Sequence, residues 1–228
     1  MKHTEVEMKL LREDISQMWK LVISQLEKIK QAFLNNDVDL AREVASREKR
    51  VDAFELKIES DCENYIALYS PVAVDLRLVL SLMKISNTLE RIADFTEGIA
   101  RYVIEGDCKK IDQQLTEELQ MEELFDTLIS MLTDGFVALE SENTKISGKI
   151  MAKDEFVDEM YRNAQHILTD YLQKNPDQIY CGLQLMVLIR KLERIGDHCN
   201  NIVEEIVFYV DAKILKHGGK LSVNRLTD

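Results

Sequence analysis

Two stretches of this 228-residue chain carry nearly the same phrase. Leu89-Glu90-Arg91-Ile92-Ala93-Asp94 returns as Leu192-Glu193-Arg194-Ile195-Gly196-Asp197, and the one difference is Ala93 against Gly196. On a helix the two carboxylates of each copy stand one turn apart on one face. Glu48 and Asp52, and Asp154 and Asp158, repeat the same spacing earlier in each half. Carboxylates gathered in apolar surroundings cannot all stay charged on their own. They need arginine partners, raised pKa values or metal ions. An all-oxygen donor set favours hard cations such as Mg²⁺, Mn²⁺ or Fe.

The elements that must position these groups read as helices nearly throughout. Leu11, Met18, Leu21, Val22, Leu26, Ile29 and Phe33 form one apolar stripe, with Thr4 and Glu7 offering a capping box ahead of it. Asn35-Asn36-Asp37 is a break, and a second helix is expected from about Val38 to Tyr69. Ser70-Pro71 reads as an N-cap followed by proline at the first helical position, opening a third helix that ends at Gly106. The pattern then repeats. A fourth helix runs through Leu115, Leu119, Leu124, Leu128, Met131 and Leu132, with a break at Glu142-Asn143-Thr144. A fifth ends near Lys174, and a sixth opens at Asn175-Pro176 and ends near Lys216. No strand is evident.

Both prolines therefore fall at equivalent points of two halves, which marks an internal duplication of a three-helix unit. The expected architecture is all-α, two tandem, pseudo-symmetric three-helix bundles. The first spans 1–107, the second 108–217, and 218–228 form a polar tail. Helices of roughly 30 residues would be roughly 45 Å long. The third and sixth are apolar on most sides, so they are central.

The turns also set the heights of the carboxylates. In an antiparallel hairpin, residues at one height are equidistant from the turn. The pairs Glu48/Asp94 and Asp52/Glu90 are both centred on Pro71, while Asp154/Asp197 and Asp158/Glu193 are centred between Asn175 and Pro176. Four carboxylates are thus level in each half, although helix rotation is not fixed by sequence. Further candidates lie on the same stripes: Asn87, Glu97 and Arg101 beside Glu90 and Asp94, and Asn200, Asn201 and Glu204 beside Glu193 and Asp197. Glu55 and Glu59 continue the stripe of Glu48 and Asp52 but read as a solvated face. Arg91 and Arg194 point about 100° away from the glutamates and are expected to bridge to neighbouring helices. His198 reads as a non-ligand, and Trp19 and the methionines as core or interface filler.

The net charge of −12 argues against nucleic-acid binding and against docking on anionic lipid. The polar, acidic start is unlike a signal peptide, and the longest apolar run, around Leu183 to Ile189, is too short to span a bilayer. A soluble, cytoplasmic protein is expected. Cys62, Cys108, Cys181 and Cys199 lie far apart with no Cys-x-x-Cys, so reduced, mostly buried thiols are expected.

The doubled phrase resembles the PhoU family of phosphate-regulatory proteins, which repeats a three-helix unit with Leu-Glu-Arg-Ile-Gly-Asp in each third helix. Val51-Asp52, Val157-Asp158, Pro71 to Ala73, Asp75-Leu76-Arg77, Gly196-Asp197-His198 and Asn201 fit the family's pattern. Ala93 departs from the expected glycine, and Asp154 stands where the first half has the longer Glu48. Gln178-Ile179-Tyr180 replaces Asp-Leu-Arg in the second half. The resemblance implies a non-enzymatic regulator that dampens phosphate uptake and starvation signalling between a phosphate transporter's ATPase and a sensor histidine kinase. It also implies homodimerisation and multinuclear metal clusters (Fe, Zn, Mn or Mg) held by Glu48, Asp52, Glu90, Asp94, Asp154, Asp158, Glu193 and Asp197. Phosphate could reach such a site only through bound cations. The alternatives are an accessory protein of another phosphate transporter, and a carboxylate-bridged di-metal enzyme. The chain has no Glu-x-x-His, which weighs against the latter.

Overall fold

The computed structural model describes residues 3–106, 108 and 113–213. Eight helices follow one another: α1 (His3–Asn35), α2 (Val38–Ser46), α3 (Glu48–Tyr69), α4 (Ala73–Glu105), α5 (Gln113–Glu118), α6 (Met121–Glu140), α7 (Ser147–Lys174) and α8 (Ile179–Asp211). Short 3-10 turns cover Thr144–Ile146 and Pro176–Gln178, and the described residues contain no strand. The fold is all-α, as expected, with two finer divisions. The long second helix is broken at Arg47, whose backbone (φ −91°, ψ −10°) closes α2 and opens α3. No Gly, Pro or Asn marks that break. Packing supplies it, since α2 lies against both α1 and α4. The fourth helix is split by Gln120 in the left-handed region, which sets α5 apart from α6.

Several caps differ from the sequence reading. Thr4 lies inside α1 rather than ahead of it, so Thr4 and Glu7 do not form the capping box expected of them. Ser70 closes α3 in the left-handed region instead of opening α4, and the extended Val72 takes the N-cap position. Asp37 does cap α2, accepting from the Asp39 and Leu40 N–H groups, and the left-handed Gly106 closes α4. α8 ends at Asp211, earlier than expected, and the expected polar tail lies outside the described residues.

The core is organised on α4 and α8, which run antiparallel. Arg77 Nε donates to the Tyr209 carbonyl, Ser81 Oγ to the Glu205 carbonyl, and Phe95 stacks on His198. The two copies of the phrase therefore lie side by side at the middle of one helix pair. Leu89, Ile92, Leu192 and Ile195 are fully buried there, and each such side chain contributes roughly 1.5–3 kcal/mol by leaving water. Trp19 fills the centre of α1. Its ring lies against Gly135, and its indole N–H donates to the Leu132 carbonyl. α1, α2 and α3 pack on α4, α6 and α7 pack on α8, and α1 meets α6.

The expectation of four reduced thiols is overturned for two of them. Cys108 and Cys181 form a disulfide with a Cα–Cα distance of 5.4 Å, while Cys62 and Cys199 are free and buried. The antiparallel pairing of α4 with α8 brings the exit of one against the start of the other, a proximity that a separation of 73 residues conceals. No helix among the described residues is long and apolar enough to cross a membrane.

Candidate metal centre

The rotation that the sequence leaves open is set by burial. Val51 and Ile58 on α3, and Val157 and Leu168 on α7, face the core. This turns Glu48, Asp52, Asp154 and Asp158 to the flanks of α4 and α8. In the first repeat Glu48 feels the charges of Asp52, Glu97 and Asp94, and Glu90 those of Asp94, Glu55 and Asp52. Burial and then this mutual repulsion raise the pKa values of Glu48 and Asp94, and push Glu90 up to about 7. Six carboxylates thus share one field, and Glu55 belongs with them rather than with the solvated face. Glu59 is exposed.

The second repeat gathers Asp154, Asp158, Glu193 and Asp197 in the same way. Asp154 rises to about 6, through burial first and then the charges of Asp158 and Asp197, and Glu193 is also raised. Here neutral and cationic partners are built in. Asn200 Nδ2 donates to Asp154 Oδ2 at 2.5 Å, Arg194 pairs with Asp197 at 3.3 Å, and Arg190 lies 3.6 Å from Glu193. Arg194 therefore serves its own helix, not a neighbouring one as expected. Three buried oxygens remain without a hydrogen bond: Asp154 Oδ1, Glu193 Oε2 and Asn200 Oδ1. All are acceptors, which is the demand a cation would meet. Gly196 makes room for this arrangement. A Cβ there would stand 2.8 Å from Asp154 Oδ1.

The remaining candidates are dispersed. Glu97 sits in the first site, where it accepts from Arg101 at 2.5 Å. Asn201 and Glu204 face a groove of about 440 Å³ shared with Glu55, Glu59, Lys84, Asn87 and Glu205. Asn201 lies 3.4 Å from His198. His198 is stacked on Phe95 and its pKa is lowered, by burial and then by Arg91. Among the described residues no three His, Cys, Asp or Glu side chains converge closely enough to hold one metal ion. The donor chemistry and the buried acceptors of Asp154 and Asn200 suit a cation, while Glu193 Oε2 already faces Arg190; the carboxylates stand apart and must swing inward to share an ion. Sequence reasoning missed Arg190 and set Glu55 aside as a solvated face. The signal was present, since both lie on the carboxylate stripes.

The described residues thus form a tandem, all-α array with a group of facing carboxylates on each repeat. The sequence signature of the PhoU domain matches residues 15–103 and 121–206, and the chain belongs to the PhoU family. It is 34% identical to the phosphate-specific transport system accessory protein PhoU of Edwardsiella tarda, over 100% of this chain and 94% of that protein. It is 33% identical to the protein of that name from Escherichia coli K12, over 96% and 90%. The crystal structure of PhoU from Pseudomonas aeruginosa superimposes with a TM-score of 0.86 at 26% identity, covering 92% of this chain and 99% of that one.

Proposed function

We propose that this protein is an accessory component of phosphate transport that binds metal cations and restrains phosphate uptake and starvation signalling through protein contacts. The partners that fit this role are the transporter's ATPase and a phosphate-sensing histidine kinase, met by a cytoplasmic homodimer that catalyses no reaction. The observation that carries the reading is the doubled carboxylate site in a chain whose relatives are named as transport accessory proteins. The ligands would be Glu48, Asp52, Glu90, Asp94 and Glu97 in the first repeat. In the second they would be Asp154, Asp158, Glu193, Asp197 and the Asn200 carbonyl. Cations held by these residues would neutralise the facing carboxylates, would link α3 with α4 and α7 with α8, and would supply the positive charge that phosphate needs at an acidic site.

The test is metal analysis of protein purified without chelator or nickel resin. Glu90→Gln with Asp94→Asn, and separately Glu193→Gln with Asp197→Asn, should each remove the metal of one repeat. Unchanged metal content in both would overturn the assignment. Calorimetric titration with phosphate should give heat with metal-loaded protein and none with stripped protein, and equal heats would remove the bridging role.

A further inference from the structure

The disulfide lies apart from the acidic sites. Cys108 follows the left-handed Gly106 that ends α4, and Cys181 sits in the first turn of α8. The register that sets Lys191 over Gly98 continues past the end of α4 and brings these two cysteines opposite one another. Their spacing is within the range a bridge requires. Both are partly exposed, and Cys108 opens onto a cleft of about 1240 Å³ that Lys30, Asn35 and Gln113 also line. Cys62 and Cys199 contrast in every respect. They are buried, and burial pushes both thiols up, Cys62 to about 12. The thiolate is the reactive form, so these two are inert. One pair of the four is both reachable and correctly placed. The bridge joins positions 73 apart in sequence, and the loop it closes carries α5, α6 and α7 complete.

We propose that Cys108 and Cys181 form a reversible thiol–disulfide exchange site, which reacts with small-molecule disulfides and thiols and locks the junction between the two repeats. In the forward direction one cysteine thiolate attacks a sulfur of a disulfide such as oxidised glutathione and expels one small thiol. The second cysteine thiolate then attacks the protein sulfur of the mixed disulfide and expels the other. The protein gives up two protons and two electrons, and the small disulfide takes them up as two thiols. Excess small thiol reverses both steps. Closing so long a loop strips freedom from open states of the second repeat. The exit of α4, helix α5 and the first turns of α8 therefore open less often in the oxidised form.

The experiment equilibrates the full chain with oxidised or reduced glutathione, then alkylates it natively and maps the labels by mass spectrometry. Oxidation should remove two alkylation sites and yield one cross-linked peptide pair, Cys108 with Cys181. Cys62 and Cys199 should label only after unfolding. Amide hydrogen exchange in Gln113–Glu118 and Ile179–Leu185 should slow by about tenfold or more in the oxidised protein. The same treatment of Cys181→Ser should leave it unchanged. Four free thiols after oxidation, mixed disulfides that do not resolve, a bridge to Cys62 or Cys199, or a correct bridge with unaltered exchange would each overturn the proposal.

Discussion

The two repeats carry the same motif in different electrostatic settings. In the register that aligns Glu48 with Asp154 and Glu90 with Glu193, Glu97 corresponds to Asn200, Asn87 to Arg190 and Glu55 to Tyr161. Where the first repeat has Glu55 and Asn87 at an open acidic groove, the second stacks Arg190 on Tyr161, 5.2 Å from the ring centroid, with a 3.0 Å hydrogen bond to its hydroxyl. Asp94 is exposed, while Asp197 is partly covered and paired with Arg194. The first site therefore gathers six carboxylates, of which, among the described residues, Glu97 alone is ion-paired, with Arg101. The second is part-neutralised by its own side chains but holds buried, unsatisfied oxygens. One duplicated unit has reached two ways of managing facing carboxylates.

The largest expected effect separates the two at Gly196. The shorter Asp154 is matched to Gly196, and the longer Glu48 to a repeat with Ala93. Gly196→Ala places a methyl group against Asp154 Oδ1 and 3.3 Å from Val157 Cγ1. The Asp154 carboxylate must turn aside and Val157 give slightly, at about 1–3 kcal/mol of overpacking, and metal affinity at the second site should fall about 10–100-fold. Ala93→Gly should change the first site's affinity by less than about threefold. Metal titration of Gly196→Ala in the Glu90→Gln/Asp94→Asn background, and of Ala93→Gly in the Glu193→Gln/Asp197→Asn background, checks this. Equal losses from both substitutions would remove the matching of side-chain length to backbone approach.

The pH dependence of metal-free protein should separate the repeats next. A carboxyl group whose folded pKa is raised adds stability that is complete below its unfolded pKa and is lost as pH rises through the folded value. Glu90 rises from 4.5 to about 7 and Asp154 from 3.8 to about 6. Thermal stability should therefore fall between about pH 4 and 7, the second repeat's share leaving first. Solvent screening keeps each share well below the ~1.4 kcal/mol per pKa unit of a dry site. Glu90→Gln should flatten the fall up to pH 7, Asp154→Asn the fall up to pH 6, and saturating Mg²⁺ both. Melting curves that keep the wild-type slope in both variants would show that these groups do not carry it.

Much of this was legible in the sequence. Period, prolines and the doubled phrase give an all-α duplication, and the turns give the heights of the eight paired carboxylates. The breaks at Arg47 and Gln120 were not legible, because packing on α1 and α4 and a left-handed non-glycine residue produce them without local punctuation. The disulfide was hidden for a related reason: its cysteines meet only because α4 and α8 pack antiparallel, which brings the exit of one against the start of the other. The asymmetry of the sites was half-visible, in Asn200 for Glu97, but its meaning needed the Asn200–Asp154 hydrogen bond.

A smaller effect should come from Lys191, which the second repeat lays across Gly98 of the first. Its pKa is lowered by burial, against the pull of Glu97 and Glu105. Its counterpart in the first repeat is the uncharged Thr88, which lines the open groove with Asn201. Lys191 thus lends the first acidic site a fixed positive charge. Lys191→Met should raise that site's cation affinity by about three- to tenfold at low salt, with little change at the second site. The gain should shrink as salt is added. A gain of equal size at both sites would point to a global change of charge instead.

The last expected effect concerns Gln25, because the first repeat also tolerates a polar defect that the second has resolved. Gln25 in α1 is completely buried, with neither amide atom hydrogen-bonded. The buried pattern of α6 sets Met131 at the matching place. The two side chains are close in volume, so Gln25→Met removes two unsatisfied polar groups without opening a cavity. Urea unfolding should show a gain of about 1–2 kcal/mol. Met131→Gln, the reverse change in the other repeat, should cost about 1–3 kcal/mol. A gain below about 0.3 kcal/mol for Gln25→Met would place a buried water on the amide, and the two repeats would then be alike in their polar satisfaction and differ only in their carboxylates.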